Sequence, residues 1–226
     1  MDIYAVHPKR GREAVNEIGL LSSYRGTVIH DCWATYFNKD YEFSHGLFGV
    51  HLLRECQGII DYDHHKWASE MQALLLEALQ EKKKGIHSEK PIPPKVLAEI
   101  EARYDAIPLR GKAEWHQPPD PGQPVKRGRK KKSKAENLAE RFILHKEGIL
   151  RFLRDGLVPF DNSQAERDIR MMKVKEKISG SFRTRNGAGQ FVRIRGFISS
   201  VRKQGRDLLS SLGLAVTGQF SFDQPK

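Results

Sequence analysis

The sequence predicts an α/β protein in which helices far outnumber strands. Three observations carry that prediction. Two short β-branched and aromatic runs stand near the start, at residues 3–6 and 27–30. Most of the remaining chain repeats its apolar residues at helical spacing. The second strand ends on a polar residue, Asp31, the position where α/β folds place their chemistry.

In order along the chain, Ile3-Tyr4-Ala5-Val6 reads as a strand, and residues 10–20 as a helix with Ala14 and Ile18 on one face. Arg25-Gly26 turns into the strand Thr27-Val28-Ile29-His30. Residues 46–56 read as a helix through Leu47, Val50 and Leu53. Residues 66–84 form the strongest helical pattern, with Trp67, Met71, Leu74, Leu75 and Leu79 in one stripe. Three prolines, Pro91, Pro93 and Pro94, precede a helix over 95–106. Residues 134–155 read as one helix through Leu138, Phe142, Leu150 and Leu153. Helices follow at 163–177, 191–204 and 208–214. Two strands are too few for a stable sheet, so the strand count alone leaves the expected sheet unexplained.

Composition narrows the function. The 226 residues carry 39 Lys+Arg against 28 Asp+Glu, a formal charge of +11. The excess is local: residues 126–134 contribute +7 and residues 162–206 contribute +9, which leaves −5 for the rest. Concentrated cations favour a polyanionic partner, nucleic acid first. Two cysteines exclude a disulfide scaffold and a CxxC zinc module. No apolar run is long enough to span a membrane, and the N-terminus lacks a signal-peptide pattern, so a cytoplasmic protein is expected. No Walker A, GxSxG or GxGxxG pattern occurs.

Two acids stand out. Asp31 is either a strand-end metal ligand or a turn aspartate. Glu166 leads a stripe with Arg170, Lys173 and Lys177 on one helix face, yet Ser163 and Glu166 also fit a capping box. A carboxylate at the head of a basic stripe suits metal-assisted phosphoryl transfer, in which the acid holds a divalent ion and the cations hold the phosphate backbone. The tract Asp61-Tyr62-Asp63-His64-His65 reads as a local Asx turn before the Trp67 helix. Trp67 reads as core, whereas Trp33 is open to a stacking role. Phe182, Phe191 and Phe197 read as core, and most of Arg183, Arg185, Arg193, Arg195, Arg202 and Arg206 as facing DNA.

The wording of several segments resembles one family. Val158-Pro159-Phe160-Asp161-Asn162-Ser163-Gln164-Ala165-Glu166-Arg167-Asp168-Ile169-Arg170, continuing through Lys177 to Arg183, resembles the C-terminal signature of the bacterial insertion-sequence-66 transposases. So do Tyr4 to Gly11, Gly26 to Tyr36, His51 to Glu55, and Ile194 to Gly205. The resemblance implies a DDE transposase with a ribonuclease H-like catalytic core and a large helical insertion. Asp31 then matches the second catalytic aspartate and Glu166 the catalytic glutamate. Both would hold Mg²⁺ or Mn²⁺ for DNA cleavage and strand transfer.

Residues 1–60 would be the first part of the core, 61–116 the helical insertion, 117–134 a Pro/Gly-rich and basic linker, and 135–226 the helical C-terminal part of the core. Expected DNA contacts are Lys126, Arg127, Arg129, Lys130, Lys131 and Lys132 in the linker, with Arg170, Lys173, Lys177, Arg183 and Arg185 beyond it. The partners would be element ends and target DNA, with further copies or other transposition proteins, at the nucleoid. The family's first aspartate is expected on a strand upstream of residues 3–6. The resemblance therefore implies a core incomplete at its first strands and a truncated copy with little or no Mg²⁺-dependent cleavage, or alternatively an inactive DNA-binding remnant or regulatory fragment. Longer members carry a Cys and paired His near residues 44–52. Phe48 and Leu52 stand there, which argues against a metal role for His45 and His51.

Overall fold

The computed structural model describes residues 2–88, 90–116, 132–180 and 182–222. The chain forms two compact units, Ser22–Asn162 and a smaller one made of Met1–Leu21 with Ser163–Lys226.

The larger unit starts with two parallel strands, β1 (Thr27–His30) and β2 (Ser44–Leu47). Thr27 lies opposite Ser44 and His30 opposite Leu47. The parallel connection runs through a 3-10 turn at Ala34–Phe37. β2 overturns the expected helix start at Gly46. A short apolar run suits either state, and here the open edge of β1 recruits it as a strand. The helix α2 (Gly49–Asp63) begins just beyond, so Asp61 and Asp63 are helical and only His64 takes the left-handed turn. Gly49 has a steric reason to be glycine, because an added Cβ would lie 2.2 Å from the Phe160 ring.

The core is helical. α3 (Lys66–Ser88) buries Trp67, Ala68, Met71, Leu74, Leu75 and Ala78, as its stripe predicts. α4 (Pro94–Arg110) begins with proline at its first turn, where the missing N–H costs nothing. The short α5 (Lys112–Trp115) buries Trp115, whose Nε1 donates to the Pro108 carbonyl at 2.9 Å. α6 (Lys134–Leu144) is capped by Ser133, whose hydroxyl accepts from the Glu136 amide at 3.0 Å. The expected single helix over 134–155 is broken at His145, and α7 (Lys146–Arg154) follows. The apolar stripe runs through His145 without changing phase, so periodicity gives no sign of the break. The break stacks His145 on Phe37, with ring centroids 4.0 Å apart, and lays Gly148 against Leu47 and His45 of β2.

One charge is buried in this core. Lys82 Nζ donates to the carbonyls of Val158 and Asp155 and lies 5.8 Å from the centroid of the Phe152 ring. Burial lowers its pKa. The ammonium ties α3 to the extended segment around Val158 and Phe160.

The smaller unit holds α1 (Arg12–Ile18), α8 (Ser163–Ser179), α9 (Arg185–Lys203) and α10 (Leu208–Val216). The expected strand at residues 3–6 does not form. A strand needs a hydrogen-bonding neighbour, and this segment lies along α9 instead. The Asp2 amide donates to Ser200 Oγ at 2.7 Å, and Gly196 leaves room for the Asp2 carbonyl. α9 starts six residues before its expected first residue, at a Thr184 cap that accepts from the Gly187 amide at 3.0 Å. Phe182 pairs with Phe191, and Phe197 with Phe220 and Phe222; the first three are half-buried in these ring clusters rather than fully enclosed.

Candidate functional site

Asp31 stands directly after β1 with its side chain exposed. Its Oδ1 accepts from the Trp33 amide at 3.1 Å, which is the Asx turn the sequence left open. Its other oxygen takes no hydrogen bond from a described residue, so turn and ligand roles are compatible on one carboxylate.

Behind Asp31 lies a histidine cluster that sequence reasoning missed. His30 is buried, its Nδ1 donates to the Asp31 carbonyl, and its Nε2 lies 2.8 Å from His45 Nδ1. With Nδ1–H committed to the carbonyl, neutral His30 accepts from His45. Tyr36 stacks on His30 at 4.5 Å, and Phe37 lies between His45 and His145. Burial pushes all three imidazoles down, and for His45 the charges of His30, His145 and Arg151 add to it, bringing it to about 4. All three are therefore neutral at pH 7. Of the three, His30 bonds the Asp31 backbone, His45 holds His30 in turn, and Arg151 Nε donates to the His45 carbonyl at 2.7 Å. These histidines are scattered along the chain and share no local pattern, so no sequence signal marks them. Among the described residues no group of three or more His, Cys, Asp and Glu side chains is arranged to hold a metal ion.

Glu166 belongs to the smaller unit, in the first turn of α8, and is exposed. Arg170, Lys173 and Lys177 follow it on the same helix face and are exposed too. No described side chain of α8 is buried, so this helix presents its charges broadly to solvent. Arg183 and Arg185, at the turn into α9, are also exposed. Arg206 is used internally, because it donates to the Ser221 carbonyl at 2.8 Å and lies over the Phe220 ring. In the basic linker, Lys126, Arg127, Arg129, Lys130 and Lys131 lie outside the described residues. Lys132 is described and pairs with Glu140. Trp33 is exposed beside Asp31, whereas Trp67 and Trp115 are core.

An exposed cationic helix face such as that of α8 suits contact with a polyanion. The comparison with known families is specific. The family model described as Transposase IS66 family matches residues 1–190 of the 226. The chain belongs to the IS66 family of transposases, which are DNA-acting enzymes. No curated protein and no solved structure matches it. No described helix is long and apolar enough to cross a membrane.

Proposed function

We propose that the chain carries out DNA strand cleavage and strand transfer in transposition by DDE-type chemistry, with Asp31 and Glu166 as the metal-holding carboxylates of a ribonuclease H-like core. The observation that carries this reading is the exposed α8 face, where Glu166 leads Arg170, Lys173 and Lys177. The donor set fits Mg²⁺ or Mn²⁺. Both ligands are hard carboxylate oxygens, both side chains are exposed, and such ions take their remaining ligands from water and phosphate. A bound ion supplies Lewis-acid activation of the phosphodiester and of the attacking oxygen.

The chain's own residues do the rest. Arg170, Lys173, Lys177, Arg183 and Arg185 neutralise backbone phosphates, with Lys126, Arg127, Arg129, Lys130, Lys131 and Lys132 as a second cationic tract. The histidine cluster orients Asp31 without competing for its free oxygen. The DNA partners would be element ends and target, with further copies or other transposition proteins, at the nucleoid.

The test is nicking of supercoiled plasmid by the purified chain with Mg²⁺ or Mn²⁺, beside Asp31→Asn and Glu166→Gln. The expected result is slow nicking that needs the divalent ion and is lost in each variant. Nicking that persists in both variants overturns the assignment. Tight DNA binding by wild type with no divalent-dependent nicking favours a DNA-binding role alone.

A further inference from the structure

The smaller unit contains a cleft of about 240 Å³ outside the two carboxylates discussed above. Its walls come from three places. Gln164, Arg167 and Asp168 project from one face of α8, Arg195, Ser199 and Arg202 from one face of α9, and Tyr4 closes it from the N-terminal segment. Lys203 also lines it, but its charge is already answered by Asp2 and Asp168, at 2.8 and 2.5 Å.

The three arginines are not answered. Arg167 Nη2 donates only to Gln164 Oε1, at 2.9 Å, and none of Arg167, Arg195 and Arg202 has a carboxylate partner among the described residues. Two donor atoms in the wall, Tyr4 Oη and the Nε of that same Arg195, are buried without any hydrogen-bond partner. Buried donors are rarely left unpaired in a resting protein, and such exceptions call for a specific explanation. Three guanidiniums without a carboxylate partner among the described residues, one of them with an unpaired Nε, stand beside the unpaired Tyr4 hydroxyl and an Asp168 already held by Lys203; they lack one thing, a multivalent oxyanion.

We infer that this cleft binds one phosphate group of the DNA backbone. Phosphate presents several acceptor oxygens and matches the planar donor fork of arginine, which a point cation does not. The volume is below the roughly 300–1,000 Å³ of sites that enclose a whole small molecule, which suits a single group on a longer polymer. The inference rests on the reading that this chain acts on DNA, and it adds a phosphate anchor at residues the family resemblance does not assign to catalysis.

The experiment measures anisotropy of a fluorescent duplex across a salt series, using the full chain, Arg195→Gln/Arg202→Gln, Tyr4→Phe, and the control Arg103→Gln, whose guanidinium is neutralised by Glu77. Inorganic phosphate is titrated in parallel by ³¹P NMR, and thermal melts check that each variant folds. The double variant is expected to bind DNA about tenfold more weakly or worse, with the slope of log K against log salt reduced by about 1. Tyr4→Phe is expected to weaken binding a few-fold with the slope unchanged, since it removes a neutral donor. Arg103→Gln is expected to match wild type.

If wild type binds DNA and the cleft variants bind it equally with the same slope, the cleft proposal falls and the DNA reading stands. If wild type does not bind DNA but inorganic phosphate binds and is lost in the double variant, the cleft takes free phosphate. The DNA source is then wrong, and so is the DNA reading. If neither ligand binds, both fall.

Discussion

His30, His45 and His145 make the interior beside Asp31 acid-sensitive. An unfolded histidine titrates near 6.5, while burial holds these three lower, His45 at about 4. Between those values the unfolded chain takes up protons that the folded chain refuses, so stability is present above pH 6.5 and is lost as pH falls toward 4. The melting temperature is therefore expected to drop steadily from pH 7 to pH 5. Replacing His45 by Gln should flatten that limb, and a wild-type melting temperature that holds constant to pH 5 would contradict the account. At this scale the sequence singles out two acids but not the surroundings in which they stand. Asp31 was visible because a polar residue ends an apolar strand, and Glu166 because it heads a basic helical stripe. Arg195 is legible as an arginine expected to face DNA, whereas Tyr4 as a wall of the same cleft is not, since that depends on the N-terminal segment lying on α9.

Elements were legible where their own residues decide the conformation. Thr27-Val28-Ile29-His30 forms its strand after the Arg25-Gly26 turn, and the apolar stripe of α3 matches its buried face. Elements decided by neighbours were not legible. Ser44–Leu47 is a strand because β1 offers an edge, residues 3–6 are not one because α9 captures the Asp2 amide, and α6 ends at His145 because Phe37 receives that ring. The entry to α2 tests this dependence on packing. A Cβ on Gly49 would meet the Phe160 ring at 2.2 Å, whereas one on Gly58 in the same helix meets nothing within 4 Å. Gly49→Ala should cost about 1–3 kcal/mol by overpacking, while Gly58→Ala should stabilise by about 0.5–1 kcal/mol through lost backbone entropy in the unfolded chain. Urea unfolding of the two variants checks the pair, and equal midpoints would mean that Phe160 does not fill the space above Gly49.

Across the whole molecule, the larger unit carries Asp31 directly after β1, and the smaller unit carries Glu166 and its cations on α8. The proposal to test at this scale is that Asp31 and Glu166 are both ligands of divalent ions when the chain is bound to DNA. Calorimetric titration of Mn²⁺ into the chain bound to a short duplex tests this without relying on turnover. The variants are Asp31→Asn, Glu166→Gln, and Asp105→Asn as a control, because Asp105 is already paired with Lys146. The proposal predicts that Asp31→Asn and Glu166→Gln each weaken Mn²⁺ binding at least about tenfold, and that Asp105→Asn binds as wild type does. Wild-type Mn²⁺ affinity in both single variants would contradict it.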